Sequence, residues 1–234
     1  MLIGIAGMVG TGKTTLSRAL SARFGLQLAL ESVDAENPWL EAFYGEPEGM
    51  RLYALNLQLH FLATRFAAMR RMRGLGGSWA LDRTWYEDAD VFARGLFEQG
   101  YMTAPEWDLY SRLYGELLHA PPARPPKLLV YLHGPLDVIT FRIASRGRAK
   151  ERDVPGDYWA TLHARYARWA ADFRACPVLA VDVRDYDLVS DPDSIDEVAA
   201  RVRQRLDGEI PQTELWPARA ARAVRPERQV AARE

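Results

Sequence analysis

The chain has 234 residues, of which 48% are hydrophobic and 26% charged, and a formal net charge of −1. That suits one α/β domain with an ample core and excludes bulk electrostatic binding to a nucleic acid polymer. Cys176 is the single cysteine, which excludes a disulfide framework and a cysteine metal site.

Short apolar runs alternate with helical patterns. Leu2–Ala6, Leu26–Leu30, Trp79–Leu81, Leu128–Leu132 and Val178–Val183 read as strands. Between them Lys13–Phe24, Pro38–Phe43, Leu52–Arg73, Glu87–Glu98, Ala104–His119, Leu136–Ser145, Asp157–Ala175 and Ser194–Leu206 read as helices. Thr103-x-x-Glu106 is a capping box, and Pro105 suits a first helical turn. The alternation predicts a five-stranded parallel sheet flanked by helices on both faces. Ala120–Pro126 is a Pro-rich connector, and residues 1–208 are expected to form the domain. The tail 209–234, with five arginines after Pro211 and few apolar residues, is expected to be flexible. No stretch approaches a membrane span, and the start lacks the basic flank of a signal peptide, so the expectation is a cytoplasmic protein with no membrane partner.

The most specific motif is Gly7-Met8-Val9-Gly10-Thr11-Gly12-Lys13-Thr14, which fits G-x-x-x-x-G-K-[ST] between a strand and a helix. Glycines let the backbone wrap a phosphate with its N–H groups inward, and the helix N-terminus adds positive potential. Lys13 would neutralise phosphate oxygens and the Thr14 hydroxyl would bind Mg2+, with Thr15 completing the expected ATP-binding stretch. Lysine is otherwise found only at Lys127 and Lys150. In a parallel sheet, ligands bind at the carboxyl ends of strands. There stand the P-loop, Glu31, Asp82 with Arg83, and His133 with Gly134, which leads to Arg146-Gly147-Arg148.

Other segments carry a resemblance. Glu31-Ser32-Val33-Asp34-Ala35-Glu36-Asn37-Pro38-Trp39-Leu40, Phe43-Tyr44, Gln58 to Phe66, and Asp82-Arg83-Thr84-Trp85-Tyr86-Glu87-Asp88 follow in order. With Gly100-Tyr101-Met102, Glu106-Trp107, Arg146-x-Arg148 and Leu162-His163, the series resembles the deoxyribonucleoside kinases, in particular the bacterial deoxyadenosine/deoxyguanosine kinase branch. The resemblance implies a P-loop kinase fold with a short Arg-rich lid at about residues 146–154. It also implies transfer of the ATP γ-phosphate to a deoxynucleoside 5′-hydroxyl, with Mg2+, in nucleotide salvage by a homodimer.

The resemblance also implies roles. Glu31 matches the general base, Asp82 the acidic residue near Mg2+, and Arg83 the arginine that orients the reacting oxygens. Arg146 and Arg148 match lid arginines, whose planar forks grip phosphate oxygens in pairs. Glu151 and Tyr44 match contacts to the sugar 3′-hydroxyl. Gln58 offers an amide to a base edge, and Arg65 lies two helical turns later on the same face. The Arg65/Asp88 pair matches members that take purine deoxynucleosides or deoxycytidine, whereas thymidine-preferring members tend to be apolar there. The expectation is a purine deoxynucleoside, with Phe92 stacking on the base. Ser32 and Thr84 depart mildly from the family pattern.

Two other readings stay open. A nucleoside-monophosphate kinase such as thymidylate kinase shares the P-loop, the Asp-Arg and a basic lid, but needs no base such as Glu31. A P-loop switch would usually carry Asn-Lys-x-Asp, and none of the three lysines stands in that context. The four histidines are dispersed and none has metal-ligand spacing to another.

Overall fold

A computed structural model describes residues 1–30, 37–121, 124–148, 154 and 156–208. Glu31, Glu151 and the tail 209–234, on which expectations were placed, lie outside the described residues.

Five strands, β1 (Leu2–Gly7), β2 (Gln27–Ala29), β3 (Trp79–Asp82), β4 (Leu128–His133) and β5 (Val178–Asp182), form one parallel sheet in the order β2-β3-β1-β4-β5. Parallel strands need crossovers that cover both faces, which is why these strands are short continuous apolar runs rather than alternating ones. In β1, residues 3 to 7 are all buried, so both faces of the central strand are covered. Ile5 pairs with Asp82 on one side, and Gly7 with Leu132 on the other. The chain leaves β1 toward β2 and leaves β4 toward β5, so a crevice opens above the carboxyl ends of these two neighbours.

Helix α1 (Lys13–Phe24) follows β1 and buries Leu16 and Leu20 completely. It ends at Gly25, whose left-handed backbone (φ 62°) lets its N–H donate to Ser21 O. α2 (Pro38–Gly45) starts at Asn37, whose side chain accepts from Trp39 N–H. α3 spans Gly49–Leu75, longer at both ends than the periodicity predicts. Its buried stripe reads Ala54, Leu57, Gln58, Leu62, Arg65, Met69 and Met72. Two of those seven positions are polar, where packing alone asks for apolar side chains.

The helix expected at Glu87–Glu98 is three joined pieces: α4 (Trp85–Glu87), a π-helical segment (Asp88–Ala93) and α5 (Arg94–Glu98). Such π turns recur at functional sites. α6 (Ala104–His119) opens with the expected capping box, Glu106 Oε2 accepting from Thr103 N–H at 2.6 Å. α7 (Leu136–Arg146), α8 (Gly156–Asp172) and α9 (Pro192–Asp207) complete the fold. A second, smaller core joins α2, α3, the π segment and α6 through Phe43, Ala54, Leu57, Leu62, Ala89, Ala93, Met102 and Tyr110. It packs the helix that carries Gln58 and Arg65 against the segment that carries Asp88.

Candidate active site

The P-loop leaves β1 at Gly7 (φ 145°), where a Cβ would stand 2.5 Å from Leu132 O. Only glycine fits there, because the neighbouring strand's backbone cannot yield. Gly10 (φ 85°) packs under α7, its Cβ position lying 2.6 Å from Ile143 Cγ1. Thr11 Oγ1 closes the loop by donating to Met8 O at 2.8 Å. Lys13 is 8% exposed and donates from Nζ to Gly7 O (2.8 Å) and Met8 O (3.0 Å), within the loop it would share with a phosphate.

Thr14 Oγ1 donates to Asp82 Oδ2 at 2.6 Å. This bond brings together the two residues expected to serve Mg2+. Asp82 is 3% exposed, and its Oδ1 is buried with no hydrogen-bond partner among the described residues. A buried carboxylate oxygen without a donor, next to a hydroxyl, fits a hard cation that takes one carboxylate and completes its shell with phosphate and water.

Arg83 follows at φ 68°, a left-handed conformation that costs a non-glycine residue about 1–3 kcal/mol. Its N–H is pinned to Ile5 O at 2.9 Å. Its guanidinium lies 4.5 Å from the centroid of the Phe92 ring. One face of the ring expected to stack on a base therefore carries this cation.

Arg65 Nε and Asp88 Oδ2 meet at 2.7 Å with side chains 9% and 6% exposed. A buried pair is retained only where both charges are well satisfied. Gln58 is 3% exposed, and its Oε1 has no partner among the described residues. Tyr44, by contrast, is 62% exposed at the end of α2, edge-on to Phe43. Arg146 ends α7 on the turn after Ile143, and Arg148 follows the left-handed Gly147 as an exposed residue. The structure thus joins Thr14 to Asp82, Arg83 to Phe92 and Arg65 to Asp88, with Lys13 bonded inside the P-loop and Gln58 on the buried stripe that also carries Arg65.

Sequence reasoning missed two features of the site. The β5–α9 connection reaches the P-loop: Leu188 Cδ1 lies 3.5 Å from a Cβ position on Gly12, and Arg142 donates to Val183 O at 2.8 Å. No motif marks that loop. The other is Glu87, fully buried, which accepts from Gly7 N–H at 3.2 Å and Thr84 N–H at 2.8 Å. The Thr84-x-x-Glu87 spacing was its only signal. Burial pushes its carboxyl above the usual range, opposed by Arg83 and Lys13.

Comparison with known proteins bears on the family and the fold. A family profile described as "Deoxynucleoside kinase" matches residues 3–207. The chain is 38% identical over 201 residues to a deoxyadenosine/deoxycytidine kinase of Bacillus subtilis, covering 86% of this chain and 91% of that one. It is 33% identical over 196 residues to a deoxyguanosine kinase of Lactobacillus acidophilus, covering 81% and 83%. A solved structure of deoxyadenosine kinase from M. mycoides with bound dATP superposes with a TM-score of 0.72 at 24% identity, covering 87% of this chain and all of that one. At that identity the likeness establishes the fold.

Proposed function

The chain belongs to the deoxynucleoside kinase family, and from that premise we propose that it transfers the ATP γ-phosphate to the 5′-hydroxyl of a purine deoxynucleoside. The buried Arg65–Asp88 pair beside Gln58 carries the acceptor reading. It presents N–H donors and carboxylate acceptors in a fixed arrangement, and a base that fails to match leaves buried polar groups unpaired. A monophosphate acceptor would instead call for added cations. The names of the two relatives above are consistent with a purine acceptor, and the first also names deoxycytidine, which is the second substrate to test.

Phosphoryl transfer requires in-line positioning, charge neutralisation and a proton acceptor. The P-loop amides and Lys13 bind the donor phosphates, and Arg83 orients the reacting oxygens. Thr14 and Asp82 would hold Mg2+, which would neutralise charge on the phosphates. Arg146 and Arg148 close over the donor as a lid. Ala29 pairs with Leu81, so the chain leaves β2 beside Asp82, and Glu31 follows in sequence as the acceptor of the hydroxyl proton. Tyr44 and Glu151 bind the sugar, and Phe92 lines the base.

Two broader assignments belong to the same reading. Among the described residues no helix is long and apolar enough to cross a membrane; the cytoplasmic location is part of the same proposal and rests on the family. Leu52 of α3 and Leu109 and Leu113 of α6 are 57%, 54% and 42% exposed, and the homodimer belongs to this reading as an assembly that would cover such side chains. Phosphorus NMR of the product tests the reaction: a 5′-monophosphate ester supports it, and a diphosphate formed from an added monophosphate overturns it.

A further inference from the structure

Glu87 is bonded more extensively than a capping glutamate requires. The capping role is met by one oxygen: Oε2 accepts from Thr84 N–H at 2.8 Å and from Thr84 Oγ1 at 3.2 Å. The other oxygen turns away from the helix. Oε1 accepts from Gly7 N–H at 3.2 Å and from Tyr166 O–H at 3.0 Å, residues 80 and 79 positions distant. A capping glutamate is ordinarily wet on one side, whereas Glu87 has no exposed surface and each of its oxygens accepts two donors. One carboxylate therefore joins the end of β1, the turn after β3, and α8, the helix beyond the lid segment.

The junction lies under the phosphate site. Gly7 is pinned through its N–H by Glu87, while its carbonyl accepts from Lys13 Nζ at 2.8 Å. We propose that Glu87 is a positioning residue for the donor: it fixes the Gly7 peptide at the P-loop entrance and, through the Gly7 carbonyl, the seat of Lys13. This rests on reading Gly7–Thr14 as the ATP site.

Glu87→Gln keeps the volume but removes the charge and turns one NH2 toward a donor. Isothermal calorimetry with Mg-ATP alone, paired with steady-state kinetics, reads the result. The expected outcome is ATP affinity weakened on the order of tenfold or more, with the KM for deoxynucleoside within about twofold of wild type. Tyr166→Phe removes a single donor and should weaken ATP binding by about threefold in the same direction; it decides the matter if Glu87→Gln does not fold. Unchanged ATP affinity in the folded variants, or equal changes for both substrates, overturns the proposal in favour of a purely structural cap. A wild-type chain that binds ATP yet phosphorylates no deoxynucleoside overturns the acceptor reading alone, because the calorimetry uses no acceptor.

Discussion

Arg65 on α3 and Asp88 on the π segment form a 2.7 Å ion pair that is almost completely withdrawn from water. Removing one partner of a buried pair strands the other charge and costs about 3–5 kcal/mol. Asp88→Ala should therefore lower the melting temperature sharply and abolish purine use. Replacing both residues with apolar ones should recover much of the stability and shift preference toward thymidine. Thermal denaturation and a substrate panel check both halves, and an unchanged substrate ranking would remove the pair from base recognition.

The Thr14–Asp82 bond and the buried Asp82 Oδ1, which has no donor among the described residues, make a prediction about metal dependence. Asp82→Asn should raise the Mg2+ concentration needed for half-maximal activity by about 10–100-fold. Activity titrated against free Mg2+ at fixed ATP measures it. No change in that midpoint would place the ion elsewhere.

Gly10 combines a left-handed backbone (φ 85°) with close approach to Ile143 of α7. Gly10→Ala should destabilise the loop by about 1–3 kcal/mol and weaken ATP binding. Adding Ile143→Ala removes the shortest contact but leaves Ile139 O at 3.1 Å and the backbone strain, so rescue should be partial. Full rescue would show that crowding alone selects glycine at this position.

His133 stacks on Tyr131 at the end of β4, with ring centroids 5.6 Å apart. Burial pushes its imidazole below the usual value; Arg184 and His163 act in the same direction, and Asp182 and Asp185 oppose it. The unfolded chain binds the proton near pH ~6.5 while the folded chain refuses it until lower pH. Stability from this group is thus present above about pH 6.5 and lost as pH falls toward the folded value. Melting temperatures between pH 7.5 and 5.5 should decline less steeply in His133→Gln than in wild type. An identical slope would show that His133 titrates normally.

The parts of the fold set by repeating physics were legible in the sequence. Buried parallel strands must be apolar on both faces, and the P-loop must be glycine-rich where Gly7 approaches Leu132. Gln58 and Arg65, the polar residues interrupting the α3 stripe, were singled out by amide chemistry and by the family resemblance rather than by the repeating pattern. The π segment was not legible, because one extra residue per turn hardly disturbs an apolar pattern over a short helix. Glu87 was hidden by its spacing, since a capping glutamate and a junction between distant elements look the same in one dimension. Nor did any local signal foretell that Arg83 would lie over Phe92 or that Leu188 would reach the P-loop, because both contacts depend on how separate connections converge above the sheet.

The central claim is tested most directly by ATP consumption with purified protein and Mg2+, assayed against deoxyadenosine, deoxyguanosine, deoxycytidine, thymidine and their monophosphates. Turnover should be fastest with a purine deoxynucleoside, and Glu31→Gln should suppress it severely while nucleoside binding persists. Turnover with a monophosphate alone, or undiminished turnover in Glu31→Gln, would contradict the account.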